Sequence, residues 1–161
     1  MNHEAATLAS RFETANRNVI EAIEQCTDEQ LRAFFPAERC TVVALACHVG
    51  DVYSVVAGWV RLMLAGEPIP PFTREIVNQL NKEQFALDAG RTKGETLERL
   101  RHNGEEATAV LRGLSDADLE RTSPFTLLGE QTSSLRQIVE IILIAHTEGH
   151  LPSIRSAAGL A

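Results

Sequence analysis

His146 and His150 stand four residues apart in IAHTEGH, and His48 lies far earlier in the chain, in ACHVGDV. Two imidazoles at i and i+4 are neighbours on one helix face. At that spacing they can grip one metal ion from the same side. His48 falls on another apolar helical stripe, and a helical bundle can bring it opposite the pair. Three nitrogen donors leave at least one coordination position for water or substrate. Such a divalent site acts as a Lewis acid or lowers the pKa of a bound water or thiol. Zinc and nickel both suit imidazole, and spacing does not choose between them. The competing reading is three core histidines, each satisfied by its own hydrogen bond. Each bond left unmade would cost about 1–3 kcal/mol.

The residues around these three offer less. Cys47 adjoins His48 but points about 100° away around the helix, so it is a poor fourth ligand. Asp51, three residues after His48, is the candidate catalytic or orienting carboxylate. Glu148 lies on the far face from His146, and Asn16 borders the stripe of the first helix. His3 and His102 are expected to face water, Tyr53 and Trp59 to pack. No other residue offers itself as a general base.

Four long helices must position the histidines. Residues 4–26 carry Ala5, Leu8, Phe12, Ala15, Val19, Ala22 and Cys26 on one stripe. Thr27 and Gln30 form a capping box opening a short turn from Asp28 to Phe34, which Pro36 ends. The second long helix spans 41–65 with Thr41 as N-cap. Leu45, His48, Val52, Val55, Trp59 and Leu62 share its face, and Gly50 and Gly58 are candidate points of close helix contact. Gly66 and the EPIPP run stop it. Residues 72–91 predict a short helix or a structured excursion. Thr92 and Glu95 cap the third long helix, with Leu97, Leu100, Ala107, Leu111 and Leu114 inward and Gly104 interrupting. Residues 121–132 read as loop. The fourth helix runs from about Ser133 to Ala158, bent or loosened at Pro152, with Gly159 as C-cap. No segment alternates with period two, so no sheet is expected. The fold class is all-α, a four-helix bundle.

Composition narrows the rest. The 161 residues carry 15 basic and 22 acidic side chains, a net charge of −7, and 44% are apolar. That is one domain, residues 1–161, with enough apolar surface to fold without disulfides. No basic stripe is present to neutralise phosphates, so nucleic acid is not an expected partner. Residues 41–60 are apolar enough to consider as a membrane span. However, His48 and Asp51 near the middle argue for a buried core helix instead. Cys26, Cys40 and Cys47, an odd number without a CxxC, fit buried free thiols in a reducing, cytoplasmic compartment. The polar N-terminus lacks the apolar core of a secretory signal.

The segments CTVVALACHVGDV and IVEIILIAHTEGHLPSIRSAAG, with QLNKEQF, RTKGETLERL and LSDADLERT between them, resemble the DinB-like family of small metal-binding bundles. The resemblance covers nearly the whole chain. It implies a divalent ion held by His48, His146 and His150 with water completing the shell. It implies an up-down-down-up bundle, often dimeric, and the long connection from Gly66 to Arg91 suits a crossover between two parallel helices. It also implies a metal-dependent enzyme, some relatives being S-transferases or isomerases that use a low-molecular-weight thiol. The expectation is therefore a cytoplasmic homodimer whose zinc or nickel activates water or a thiol toward a small-molecule substrate. The Pro68–Phe72 loop and the end of the third helix are expected to shape its mouth. The alternative is a non-catalytic, stress-associated scaffold in which the ion is structural.

Overall fold

The computed structural model describes residues 3–129 and 131–160. Helix α1 spans His3–Gln25, and its predicted stripe is buried from Ala5 through Cys26. Helix α2 is shorter than expected, Asp28–Arg32, although the capping box of Thr27 and Gln30 is formed. Before Pro36 is reached the chain leaves the helix for a hairpin of β1, Phe34–Phe35, and β2, Cys40–Thr41. Helix α3, Val42–Ala65, starts on the Thr41 hydroxyl and ends at Gly66, whose φ of 76° is a left-handed C-cap. The residues expected to be a short helix or a structured excursion form helix α4, Arg74–Asp88. Helix α5, Lys93–Arg112, opens with the Thr92–Glu95 capping box. A 3₁₀ turn at Asp118–Glu120 leads to a second hairpin, β3 Thr122–Pro124 with β4 Thr132–Ser134. The expectation of no sheet is corrected by these two ribbons. Each is two or three residues long, too short for alternation to register in a sequence.

The last helix is one rod in three parts. Helix α6, Leu135–Gln137, continues into a π-helical segment, Ile138–Ala145, and then α7, His146–Ala157. The π segment was not expected, because its register changes without any change in residue type. Pro152 stays inside α7, and Gly159 follows it at φ 68°.

Side-chain pairs fix the direction of each rod. Glu13 meets Arg112 and Glu24 meets Arg101, so α1 and α5 run antiparallel. Cys47 meets Thr96 and Arg61 meets Glu106, so α3 and α5 run parallel. Glu4 meets Arg136 and Arg11 meets Glu148, so α1 and the last rod run parallel. The topology is up-down-down-up. The crossover between the two parallel helices contains α4, as the long connection predicted.

α1 and α3 each pack against α5 and the last rod, so they sit diagonally across the bundle. The core between them includes Phe12, Leu45, Tyr53, Leu100, Leu111, Ile138 and Ile144, all fully buried. Most of α3 is buried here, and its long apolar run is a core helix. Two details of its face are corrected. Val55 is exposed rather than inward, and a Cβ at Gly58 would meet nothing within 4 Å. Gly50 is a true contact, with Arg99 3.4 Å from its notional Cβ. The three cysteines are free and buried, and burial pushes the Cys40 and Cys47 thiols up to about 11.

Candidate metal centre

His48 lies two turns into α3, and His146 and His150 begin α7. Antiparallel packing of those two rods brings the three rings together. Nε2 of His146 lies 3.0 Å from Nε2 of His48 and 3.2 Å from Nε2 of His150. One nitrogen from each ring lies within 4.8 Å of the others. Nitrogens bound tetrahedrally at 2.0–2.1 Å stand about 3.3 Å apart, so these spacings suit a single ion. The π segment sets the approach: the His146 N–H reaches the carbonyl of Ile141, five residues back. Such segments shift the following side chains relative to an α-helix and recur at functional sites.

The electrostatics are those of a ligand set. Burial, reinforced by His150, lowers His48 to about 4. Burial, with both neighbouring imidazoles, lowers His146 to about 3. His150 is also lowered by burial, while Glu38 opposes the shift. All three rings are therefore neutral at pH 7, the form that binds metals. Facing Nε2 atoms can share only one proton per contact, and His146 Nδ1 is buried with no hydrogen-bond partner among the described residues. A stable hydrogen-bond network would satisfy these atoms. The donor set and spacing thus fit a divalent cation better than three independent core histidines.

Two residues that the sequence did not place at the site complete the surroundings. Phe85 of α4 sets its ring edge-on to His48, with centroids 5.5 Å apart. Glu38, in the β1–β2 turn, places Oε1 3.4 Å from His150 Nδ1 and accepts a 3.0 Å bond from the Ser153 hydroxyl. Glu38 lies in no pattern that sequence periodicity weighs, and Phe85 belongs with Ile76 and Leu80 to a weak helical pattern that says nothing of its partner. Glu38 sits in an irregular turn, and Phe85 belongs to a helix with few buried residues.

Other expectations are corrected. Asp51 does not orient His48: its carboxylate pairs with Arg99 at 3.0 Å, and among the described residues it makes no bond to a histidine. Arg99, nearly two turns along α5, is its partner instead. The mouth is not formed by the Pro68–Phe72 loop. That loop follows the C-terminus of α3, about 25 Å along the helix axis from His48 at 1.5 Å per residue. It packs instead on Trp59 and Ser123. Because α5 runs parallel to α3, its last turn is distant as well. Phe85 and the Glu38 turn border the site in their place. Asn16 is half-buried at the border of the α1 stripe, as expected, and wedged against Gly104. Glu148 pairs with Arg11, away from the rings, and Tyr53 packs edge-on to Phe12 as expected.

The sequence matches the DinB superfamily over residues 11–154. No curated protein matches it. Among solved structures the chain is similar to YfiT from Bacillus subtilis, described as a probable metal-dependent hydrolase with an unusual four-helix bundle topology. The two share 19% identity at a TM-score of 0.74, covering 100% of this chain and 91% of that one. A likeness at that identity carries the fold, not the activity.

Proposed function

This chain belongs to the DinB superfamily, and from that premise we propose that it is a metal-dependent hydrolase whose ion is held by His48, His146 and His150. The observation that carries this reading is the meeting of three Nε2 atoms at 3.0 and 3.2 Å in a partly buried place. The description of YfiT, which shares this fold, supports the same reaction class. With three protein ligands, a divalent ion keeps a position open and supplies Lewis-acid polarisation and a lowered pKa for a water beside it. The chain's own residues bind and orient that ion. His48 comes from one rod and His146 with His150 from another, so the site exists only when the bundle is closed. Phe85 covers one side of His48 and limits water there.

The same open position would accept a low-molecular-weight thiol, which would make the protein an S-transferase. A panel of hydrolysis and thiol-transfer assays on one preparation separates the two. Zinc and nickel both suit the donors. Three buried free thiols fit a cytoplasmic protein, and light scattering tests the homodimer. If instead the ion is purely structural, chelation unfolds the bundle and no assay responds.

The deciding experiment is elemental analysis of protein purified without a histidine tag. One divalent ion per chain is expected, and none in a folded His146→Ala variant. Retention of a full equivalent by that variant would remove the site from consideration.

A further inference from the structure

The β1–β2 turn is built at a conformational cost and aimed at α7. Its loop, Pro36 to Arg39, closes with the Glu38 N–H donating to Phe35 and the Arg39 N–H to Pro36. Arg39 adopts φ 57°, the one positive φ at a non-glycine among the described residues. A long side chain is uncommon in that region, and residues held in such conformations cluster at active sites and ligand clamps. The residue next to it is Glu38. Its Oε1 accepts the Ser153 hydroxyl at 3.0 Å and stands 3.4 Å from His150 Nδ1. Ser153 follows His150 by three residues, on the same face of α7. The carboxylate is thereby anchored from the helix it serves, and His150 turns its other nitrogen, Nε2, toward His146.

We propose that Glu38 is a positioning residue for the ion site: it accepts the Nδ1–H of His150, which fixes the tautomer that leaves Nε2 free as a ligand. The proposal rests on the three-histidine reading above for its consequence, but not for the contact itself. A carboxylate behind a ligating histidine holds the ring and raises its basicity, and losing it costs about 10–100-fold in metal affinity. Ser153 fixes which way the carboxylate points.

The test uses the full chain and two readouts. Zinc affinity is measured by competition with a chromophoric chelator for wild type, Glu38→Ala, Glu38→Gln and Ser153→Ala. The His150 tautomer is read from long-range ¹H–¹⁵N spectra of the metal-free proteins. Glu38→Ala should bind zinc about 10–100-fold more weakly and lose the Nδ1–H preference of His150. Glu38→Gln, whose amide oxygen still accepts, should fall between, and Ser153→Ala should show a smaller loss in the same direction. If the Ala variant fails to fold, the Gln and Ser153 variants carry the test. Unchanged affinity overturns the proposal, as does an affinity loss with an unchanged tautomer, which would mark a merely structural role. If wild type takes up no zinc, the three-histidine reading fails instead, and the tautomer alone decides whether Glu38 positions His150.

Discussion

The carboxylate of Asp88, at the end of α4, is fully buried and bonded to the Arg99 guanidinium of α5 at 3.0 Å. Arg91 and Gln84 also donate to it, at 2.9 and 2.8 Å. Burial alone would raise its pKa, but bonds from Gln84, Arg91 and Arg99 hold it below the usual carboxylate range. Asp88 is the one buried residue of α4, whose Ile76, Leu80 and Leu87 are exposed. The crossover helix, and with it Phe85 against His48, is therefore fastened mainly at one charged point. Removing one partner of a buried ion pair costs about 3–5 kcal/mol. Arg99 would keep Asp51, so Asp88→Ala should lie near the lower end. Limited proteolysis should then cut within residues 66–92 well before the bundle melts. Resistance equal to wild type would show that α4 is held by something else.

Gly104 faces Asn16 across the α1–α5 contact, where an added Cβ would lie 2.1 Å from the amide nitrogen. Asn16 is itself pinned, donating weakly to the Leu100 carbonyl at 3.5 Å. Ala in a helix is favoured over Gly by about 1 kcal/mol, but overpacking costs about 1–3 kcal/mol. Gly104→Ala should therefore destabilise the protein in urea unfolding. In an Asn16→Ala background the clash is gone, and the same substitution should become neutral or stabilising. Equal effects in both backgrounds would mean that the interface opens freely.

These two contacts show which parts of the molecule could be read in advance. The long helices were legible because each combines a capping residue with a buried stripe, as Thr92, Glu95, Leu97 and Leu100 do in α5. The convergence of His48 with His146 and His150 was legible because all three fall on inward faces. Asp51 was misread because spacing along α3 brought it near His48, whereas Arg99 is contributed by a helix some fifty residues away, a pairing that no periodicity encodes. The Glu38 turn and the π segment were invisible for a different reason. The first depends on one strained φ, and the second on a hydrogen-bond register shared by the same apolar residues in either helix type.

The buried histidines give the metal-free protein a specific pH dependence. In the unfolded chain an imidazole takes up a proton near pH 6.5, whereas folded His48 and His146 do so only at about 4 and about 3. Between those limits the unfolded state binds more protons, so stability falls as pH falls. The contribution is complete above pH 6.5 and is lost progressively below it. Urea midpoints of chelated protein should drop between pH 7 and pH 5, a window above the titration of ordinary carboxylates. A His48→Gln, His146→Gln double variant should show a flatter profile. A midpoint that holds steady in wild type across that window would contradict the burial of neutral rings.

Loading the site should stabilise the fold, because the ligands come from two rods that separate on unfolding. A ligand at a hundred times its dissociation constant adds about 2.7 kcal/mol. For a chain of this size each kcal/mol moves Tm by about 2–4 °C. Zinc or nickel in that excess should therefore raise Tm by about 5–10 °C over chelated protein. His146→Ala should abolish the rise, since His146 Nε2 is the atom that faces both other rings. His102 belongs to α5, apart from the cluster, so His102→Ala should leave the rise intact and control for adventitious histidine binding. Differential scanning calorimetry with each metal and with chelator reads all three. An equal rise in the His146→Ala protein would move the ion elsewhere on the surface.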